Sequence, residues 1–179
     1  MKADPHAPLR PDQVPVPIRW WVRSPVEAVP PAPDTTLEAA FGGPTRSRKL
    51  RSWGHDPDGV HWLATVNGTI LHTDPAYRRY TFHLVVRNDG WRIRGISDEH
   101  HPPMTPGALY CLDTHSPHAV VRDDRLPWTP PGYKLQIALD ADEILTAQEV
   151  WPLLRRYLDH DPADTAATAP PVAPKPRRH

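Results

Sequence analysis

Between Val60 and Asp140 the apolar residues come in short runs rich in Val, Ile, Leu, Thr, Tyr and Trp, and turn-forming residues interrupt them every few positions. Tyr80-Thr81-Phe82-His83-Leu84-Val85-Val86 shows the clearest period-two alternation, the spacing of a strand whose two faces meet different surroundings. Turn signals fall at Asn67-Gly68, Asn88-Asp89-Gly90 and Pro106-Gly107. Together they predict strands near 60–66, 69–73, 79–87, 91–96, 108–113, 118–122 and 133–139. The Asn88-Asp89-Gly90 link makes 79–87 and 91–96 the expected hairpin. Many short strands at close spacing favour a sandwich or a barrel, a mainly β fold.

One helix follows the strands. Thr146-Ala147-Gln148-Glu149 fits a capping box, and Val150, Leu153, Leu154, Tyr157 and Leu158 recur at helical spacing behind it. Pro152 removes a backbone donor, so the regular part is expected to begin near Trp151. Leu37 to Phe41 reads as a second short helical segment.

Composition sets the boundaries. The 179 residues suffice for one domain with a core, and 25 of them are prolines, concentrated at the two ends and in two internal loops. Residues 1–34 read as a proline-rich N-terminal arm, although Ile18-Arg19-Trp20-Trp21-Val22 suits an edge strand lying against the domain. Residues 35–160 form the expected domain, and 161–179 a tail with too little apolar content to fold. Basic and acidic residues balance at 21 each, so charge favours neither nucleic acid nor an anionic membrane as partner. A lone cysteine, Cys111, a start without an apolar leader and the lack of any long apolar stretch predict a cytoplasmic protein without membrane attachment.

Candidate chemistry centres on His72-Thr73-Asp74. Residues i and i+2 of an extended segment share a face, so one imidazole and one carboxylate can reach the same ion. With 11 histidines in the chain a bare His-x-Asp is common by chance, and a third donor is needed. His118 supplies it best, opening the run His118-Ala119-Val120-Val121 after the turn Thr114-His115-Ser116-Pro117, with His115 as a competitor. Two histidines and a carboxylate leave three positions open on a non-haem iron, room for a bidentate co-substrate and dioxygen. His100-His101, beside Pro102-Pro103, read as a solvated loop. Lys134 lies in the alternating strand Tyr133-Lys134-Leu135-Gln136-Ile137-Ala138-Leu139; it is either an outward residue on an edge strand or a buried ammonium that needs an anion.

In this order the chain resembles the aspartyl/asparaginyl β-hydroxylase-like branch of the Fe(II)/2-oxoglutarate-dependent oxygenases. The carrying residues are His72-Thr73-Asp74-Pro75, Tyr80-Thr81-Phe82-His83-Leu84, Trp91-Arg92-Ile93-Arg94, Pro106-Gly107-Ala108-Leu109-Tyr110 and Asp113 through His118, spread over about Gly68 to Asp140. The resemblance implies a double-stranded β-helix, a jelly-roll or cupin-like barrel, here with a short C-terminal helix and proline-rich tails. It implies iron held by His72, Asp74 and His118, 2-oxoglutarate as co-substrate, and His83 lining the co-substrate pocket. Some members of this branch lack the motif carboxylate, whereas Asp74 completes the triad here. Two departures stand out. The family's arginine past the distal histidine is replaced, after the insertion 123–132, by Lys134, which can neutralise a carboxylate but lacks the bidentate fork. The arginine that often stands two residues before the pocket histidine is Thr81.

The expected activity is therefore a dioxygenase, hydroxylating an amino-acid or peptidyl side chain with release of succinate, with Arg94 and Trp91 as expected substrate-wall residues. The rival reading is a non-redox cupin-like module that binds a metal or small ligand on the same fold. A third reading concerns the proline-rich tails, whose extended segments suit partner proteins.

Overall fold

The computed structural model describes residues 16–23, 50–53, 56–65, 68–97, 101–128, 132 and 134–158. The expected arm before residue 16, the short helix over Leu37 to Phe41 and the tail from residue 161 lie outside the described residues. The described chain is mainly β, with eight strands: β1 Ile18–Arg23, β2 Leu50–Trp53, β3 His61–Thr65, β4 Tyr80–Asn88, β5 Trp91–Arg94, β6 Ala108–Asp113, β7 Ala119–Arg122 and β8 Lys134–Ala141. Six form an antiparallel sheet in the order β1-β6-β4-β8-β3-β2, and β5 pairs with β7 in a second sheet. The apolar patch of the N-terminal segment forms β1, the expected edge strand, paired with β6.

The second sheet has a further rail that is not a regular strand. Thr69 donates its amide to the Val120 carbonyl at 2.9 Å, and His72 and His118 exchange both backbone hydrogen bonds at 2.9 Å. Successive segments thus alternate between the sheets: β3, then 69–72, β4, β5, β6, β7 and β8. Among the described residues neither sheet closes on itself.

Asn88-Asp89-Gly90 does not make the expected hairpin. β4 pairs with β6 and β8, whereas β5 pairs with β7, so the turn is a corner between sheets. The Asn88 side chain explains the corner, since its amide donates to the Trp91 and Met104 carbonyls while its oxygen accepts from the Gly90 and Trp91 amides. Gly90, at φ 113°, takes a backbone conformation that side chains disfavour. With six consecutive buried residues, Thr81 to Val86, β4 belongs in the middle of a covered sheet and has neighbours on both edges.

Alternation sorts the six-stranded sheet into two faces. Trp62, Phe82, Leu84, Leu109, Leu135 and Ile137 share one face and pack against Val150, Leu154 and Tyr157 of the helix α1, Ala147–Tyr157. Val85, Ala108, Tyr110 and Leu112 share the other and meet Ile93 and Val120 of the second sheet. The helix starts where the capping box places it: the Thr146 hydroxyl accepts from the Glu149 amide and the Glu149 carboxylate accepts from the Thr146 amide. It begins at Ala147 and carries Pro152 within its span, earlier than the start near Trp151 expected from the proline. No helix among the described residues is long and apolar enough to cross a membrane.

Leu154 is fully buried between helix and sheet. Leu154→Ala should destabilise folding by about 2–5 kcal/mol, and loss of the cap in Thr146→Ala by about 1 kcal/mol, both read from urea denaturation midpoints.

Candidate metal centre

His72 and His118 face each other across the irregular rail of the second sheet, their ring centroids 4.5 Å apart. Asp74 follows two residues after His72, its amide donating to the Thr114 carbonyl at 2.8 Å. That bond ties the first ligand motif to the loop that delivers the second histidine. The loop is anchored in turn: the Thr114 amide donates to the Arg79 carbonyl at 2.8 Å, its hydroxyl to the Arg78 carbonyl at 2.9 Å, and buried Asp113 accepts from Arg79 and from the His115 amide.

The Asp74 Oδ2 atom lies 3.5 Å from His72 Nε2 and 3.4 Å from His118 Nε2, and one donor atom from each residue lies within 4.8 Å of the others. Donors each about 2.0–2.2 Å from one ion stand about 3–3.5 Å apart, so this spacing is that of a ligand set. The outer nitrogens sharpen the point. His72 Nδ1 lies 2.7 Å from the Ile70 carbonyl and His118 Nδ1 2.9 Å from the Ser116 carbonyl. A carbonyl only accepts, so each Nδ1 carries a proton and each Nε2 is the nitrogen turned toward Asp74. Two imidazole nitrogens and a carboxylate oxygen directed at one point are a donor set that suits a cation. These three residues could hold a metal ion. Contact with His118 holds the Asp74 carboxyl below its ordinary range, against the opposing effect of partial burial and with further help from His72. His118 is buried, whereas His72 and Asp74 are about one-third exposed, so the group opens to solvent on one side.

Behind this group lies a polar face that the burial pattern conceals from water. Alternation along β7 puts His118 on the same side as Val120, toward the six-stranded sheet. There His83 stacks on Tyr110 with centroids 4.8 Å apart, and Lys134 and Gln136 project from β8 onto the same face. All four are at most 4% exposed. Gln136 donates to the Tyr110 hydroxyl, and Lys134 Nζ reaches the same oxygen at 3.5 Å. Neither ring nitrogen of His83 makes a hydrogen bond. Burial, with Lys134 and His61 adding to it, pushes His83 well below the ordinary histidine value, and the nearby Gln136 opposes this. Burial lowers Lys134 to about 7 and raises the Tyr110 phenol.

The structure brings His72, Asp74 and His118 together, and places Lys134 and His83 on one covered face. Lys134 is not the outward edge residue of the simpler reading, because β8 lies between β4 and β3. Arg94 and Trp91 are not brought to the metal group. Arg94 is exposed and alternates with Ile93 onto the far face, while Trp91 pairs with Arg122 at the opposite end of β7 and donates its indole to the Gly132 carbonyl. His115 stands outside the donor set, its Nε2 lying 3.1 Å from the Tyr77 carbonyl. His101 is buried, its ring nitrogens 2.9 and 2.8 Å from the Ile93 and Pro102 carbonyls, and so serves the loop's structure and is not a solvated residue. Tyr110 and Gln136 were not among the residues expected to form the site; Gln136 shares a strand face with Lys134, and that spacing was the available signal.

No family model matches the chain, and no curated protein matches it.

Equilibrium dialysis should find one Mn(II) or Co(II) per chain. His118→Ala and Asp74→Ala should each weaken binding at least tenfold, while His115→Ala leaves it unchanged. Burial of Lys134 has a separate signature. Its amine is held at about 7 in the folded chain against an ordinary 10.5, so between these pH values the unfolded chain binds more protons and stability rises with pH. Lys134→Met should therefore melt several degrees above the ligand-free parent at pH 6–7, with the gap closing as pH approaches 10.

Proposed function

We propose that this chain is an Fe(II)/2-oxoglutarate-dependent oxygenase that hydroxylates an amino-acid or peptidyl side chain, on a double-stranded β-helix of the aspartyl/asparaginyl hydroxylase-like kind. The observation that carries this reading is the convergence of His72, Asp74 and His118 at the solvent-open end of a covered polar face. The winding supports it as well. Consecutive segments alternate between two sheets, with β6-β4-β8-β3 adjacent in one and 69–72, β7 and β5 in the other, an alternation that a jelly roll would need.

Two imidazoles and one carboxylate suit iron(II) and leave positions free for other ligands. Bound iron would supply the activation of dioxygen that is coupled to oxidative decarboxylation of the 2-oxo acid. The protein's own part is binding and orientation. The Ile70 and Ser116 carbonyls accept from Nδ1 of His72 and His118, which orients each Nε2 for an ion, and Asp74 would supply the negative charge. Lys134 would neutralise the far carboxylate of the co-substrate, and His83 would line its path. Exposed Ile70 and Leu71 directly precede His72, and exposed Tyr77 donates its amide to the Asp74 carbonyl; an apolar rim at the open side favours a substrate presented from a larger surface, such as a peptide.

Incubation with iron, ascorbate and labelled 2-oxoglutarate should yield labelled succinate even without prime substrate, at a slow rate absent from His72→Ala. Metal binding with no succinate above that control, across a panel of amino acids and peptides, would instead favour the cupin-like metal-binding module.

A further inference from the structure

The polar face behind the metal group is rich in donors and short of acceptors. Tyr110 Oη already accepts from Gln136 and lies 3.5 Å from Lys134 Nζ, which leaves its own proton to be donated elsewhere. Lys134 makes no other hydrogen bond or ion pair among the described residues. The titratable groups sharing its sheet face are His83 on β4, Tyr110 on β6, His61 on β3 and, at the other end of β8, Asp140. Neither carboxylate at the ends of this face is paired with Lys134: Asp140, at the far end of β8, lies 3.9 Å from His61, and Asp89, just beyond β4, pairs with Arg87 at 2.9 Å. Across the gap, Asp74 is engaged with the two histidines. A 99% buried lysine with one distant neutral neighbour and no counter-charge is a site prepared for an anion.

We propose that this face is a proton-coupled carboxylate site, in which one carboxylate of a dicarboxylic acid lies between Lys134 Nζ and the Tyr110 hydroxyl and enters together with one proton, taken from solvent onto the lysine. It rests on reading this face as the co-substrate pocket and adds how that pocket is charged. Empty, the site is most stable with Lys134 as a neutral amine, since burial disfavours the ammonium. The arriving carboxylate replaces the lost hydration, so amine, proton and anion become an ammonium–carboxylate pair. Tyr110 keeps its proton, because burial raises the phenol, and gives the second oxygen a hydrogen bond. An arginine at this place would be charged in both states and would couple nothing. Lysine makes capture of the acid depend on pH in the neutral range: affinity is greatest below about 7 and falls about tenfold per pH unit above it.

Calorimetric titration of the Mn(II)-loaded full chain with 2-oxoglutarate, in buffers of different ionisation heat, measures this directly. Uptake should approach one proton per ligand at pH 8 and fall toward none at pH 6. Lys134→Arg should abolish the uptake and flatten the dependence of affinity on pH; Tyr110→Phe should weaken binding about tenfold and keep the uptake. If Lys134→Arg does not fold, Lys134→Met replaces it, with binding weakened about a hundredfold at pH 6 and no uptake. Affinity level with pH in the parent, or uptake retained in either lysine variant, overturns the proposal. A second arm uses glutarate, which lacks the 2-oxo group, on metal-free protein. Glutarate bound with proton uptake in a protein that makes no succinate sustains the carboxylate site and sinks the oxygenase reading. Succinate formed with pH-independent binding does the reverse, and binding of neither acid ends both.

Discussion

The two backbone hydrogen bonds exchanged by His72 and His118 hold together the part of the molecule that matters most for chemistry. They are an isolated bridge, with Thr69 and Val120 as the neighbouring contact, and not part of a long ladder. Because the two residues are directly opposed, both side chains leave the sheet on the same side, and Asp74, two residues on, can meet them. A slip of one residue would turn one imidazole to the other face. So short a pairing needs outside support to stay in register, and the surrounding loop provides it. Asp74 is tied to Thr114, Thr114 to Arg78 and Arg79, and Asp113 to Arg79, so the segment before β4 and the segment after β6 are laced together around the histidines.

That lacing explains what could be read from the chain and what could not. His72-Thr73-Asp74 was legible because strand geometry alone gives i and i+2 a common face. His118 was legible as a candidate because it opens a β-run after a turn, yet His115 competed on sequence terms, and only the fold, which turns His115 toward the Tyr77 carbonyl, separates the two. The Asn88-Asp89-Gly90 turn was misread as a hairpin because local turn chemistry says that the chain reverses, not which strand it joins afterwards. Asn88 bonds to Met104, sixteen residues away, and no local rule contains that contact. Tyr110 and Gln136 were missed for a related reason. Period-two alternation in β8 separates Leu135, Ile137 and Leu139 from Lys134, Gln136 and Ala138, but it does not say what covers the second set. The usual cover for a polar face is water, and here it is the second sheet.

The two faces of the six-stranded sheet therefore do different physical work. One is a conventional apolar interior: aromatic and aliphatic side chains close on a capped helix, and Trp62 and Tyr157 meet with ring centroids 5.8 Å apart. Its burial supplies the favourable free energy of folding. The other face is mixed. Val85, Ala108 and Leu112 pack with Ile93 and Met104; between Leu112 on one side and Ala108 and Val85 on the other runs a rung in which Trp21, Tyr110, His83, Ala138 and His61 are register partners on successive strands β1, β6, β4, β8 and β3. The buried indole nitrogen of Trp21 and both nitrogens of His83 lack hydrogen-bond partners.

Such a rung would be a poor way to build a core. Each buried donor or acceptor without a partner costs on the order of 1–3 kcal/mol, and each apolar residue at the same position would remove the cost. For Trp21 and His83 this expense falls on the face behind the only donor set among the described residues that could hold a metal ion. The buried nitrogens of His83, beside Lys134, Gln136 and Tyr110, are understandable if the face is completed by a polar molecule whose other end lies at His72, Asp74 and His118. The apolar face and its helix make the fold stable enough to leave that interior unfinished.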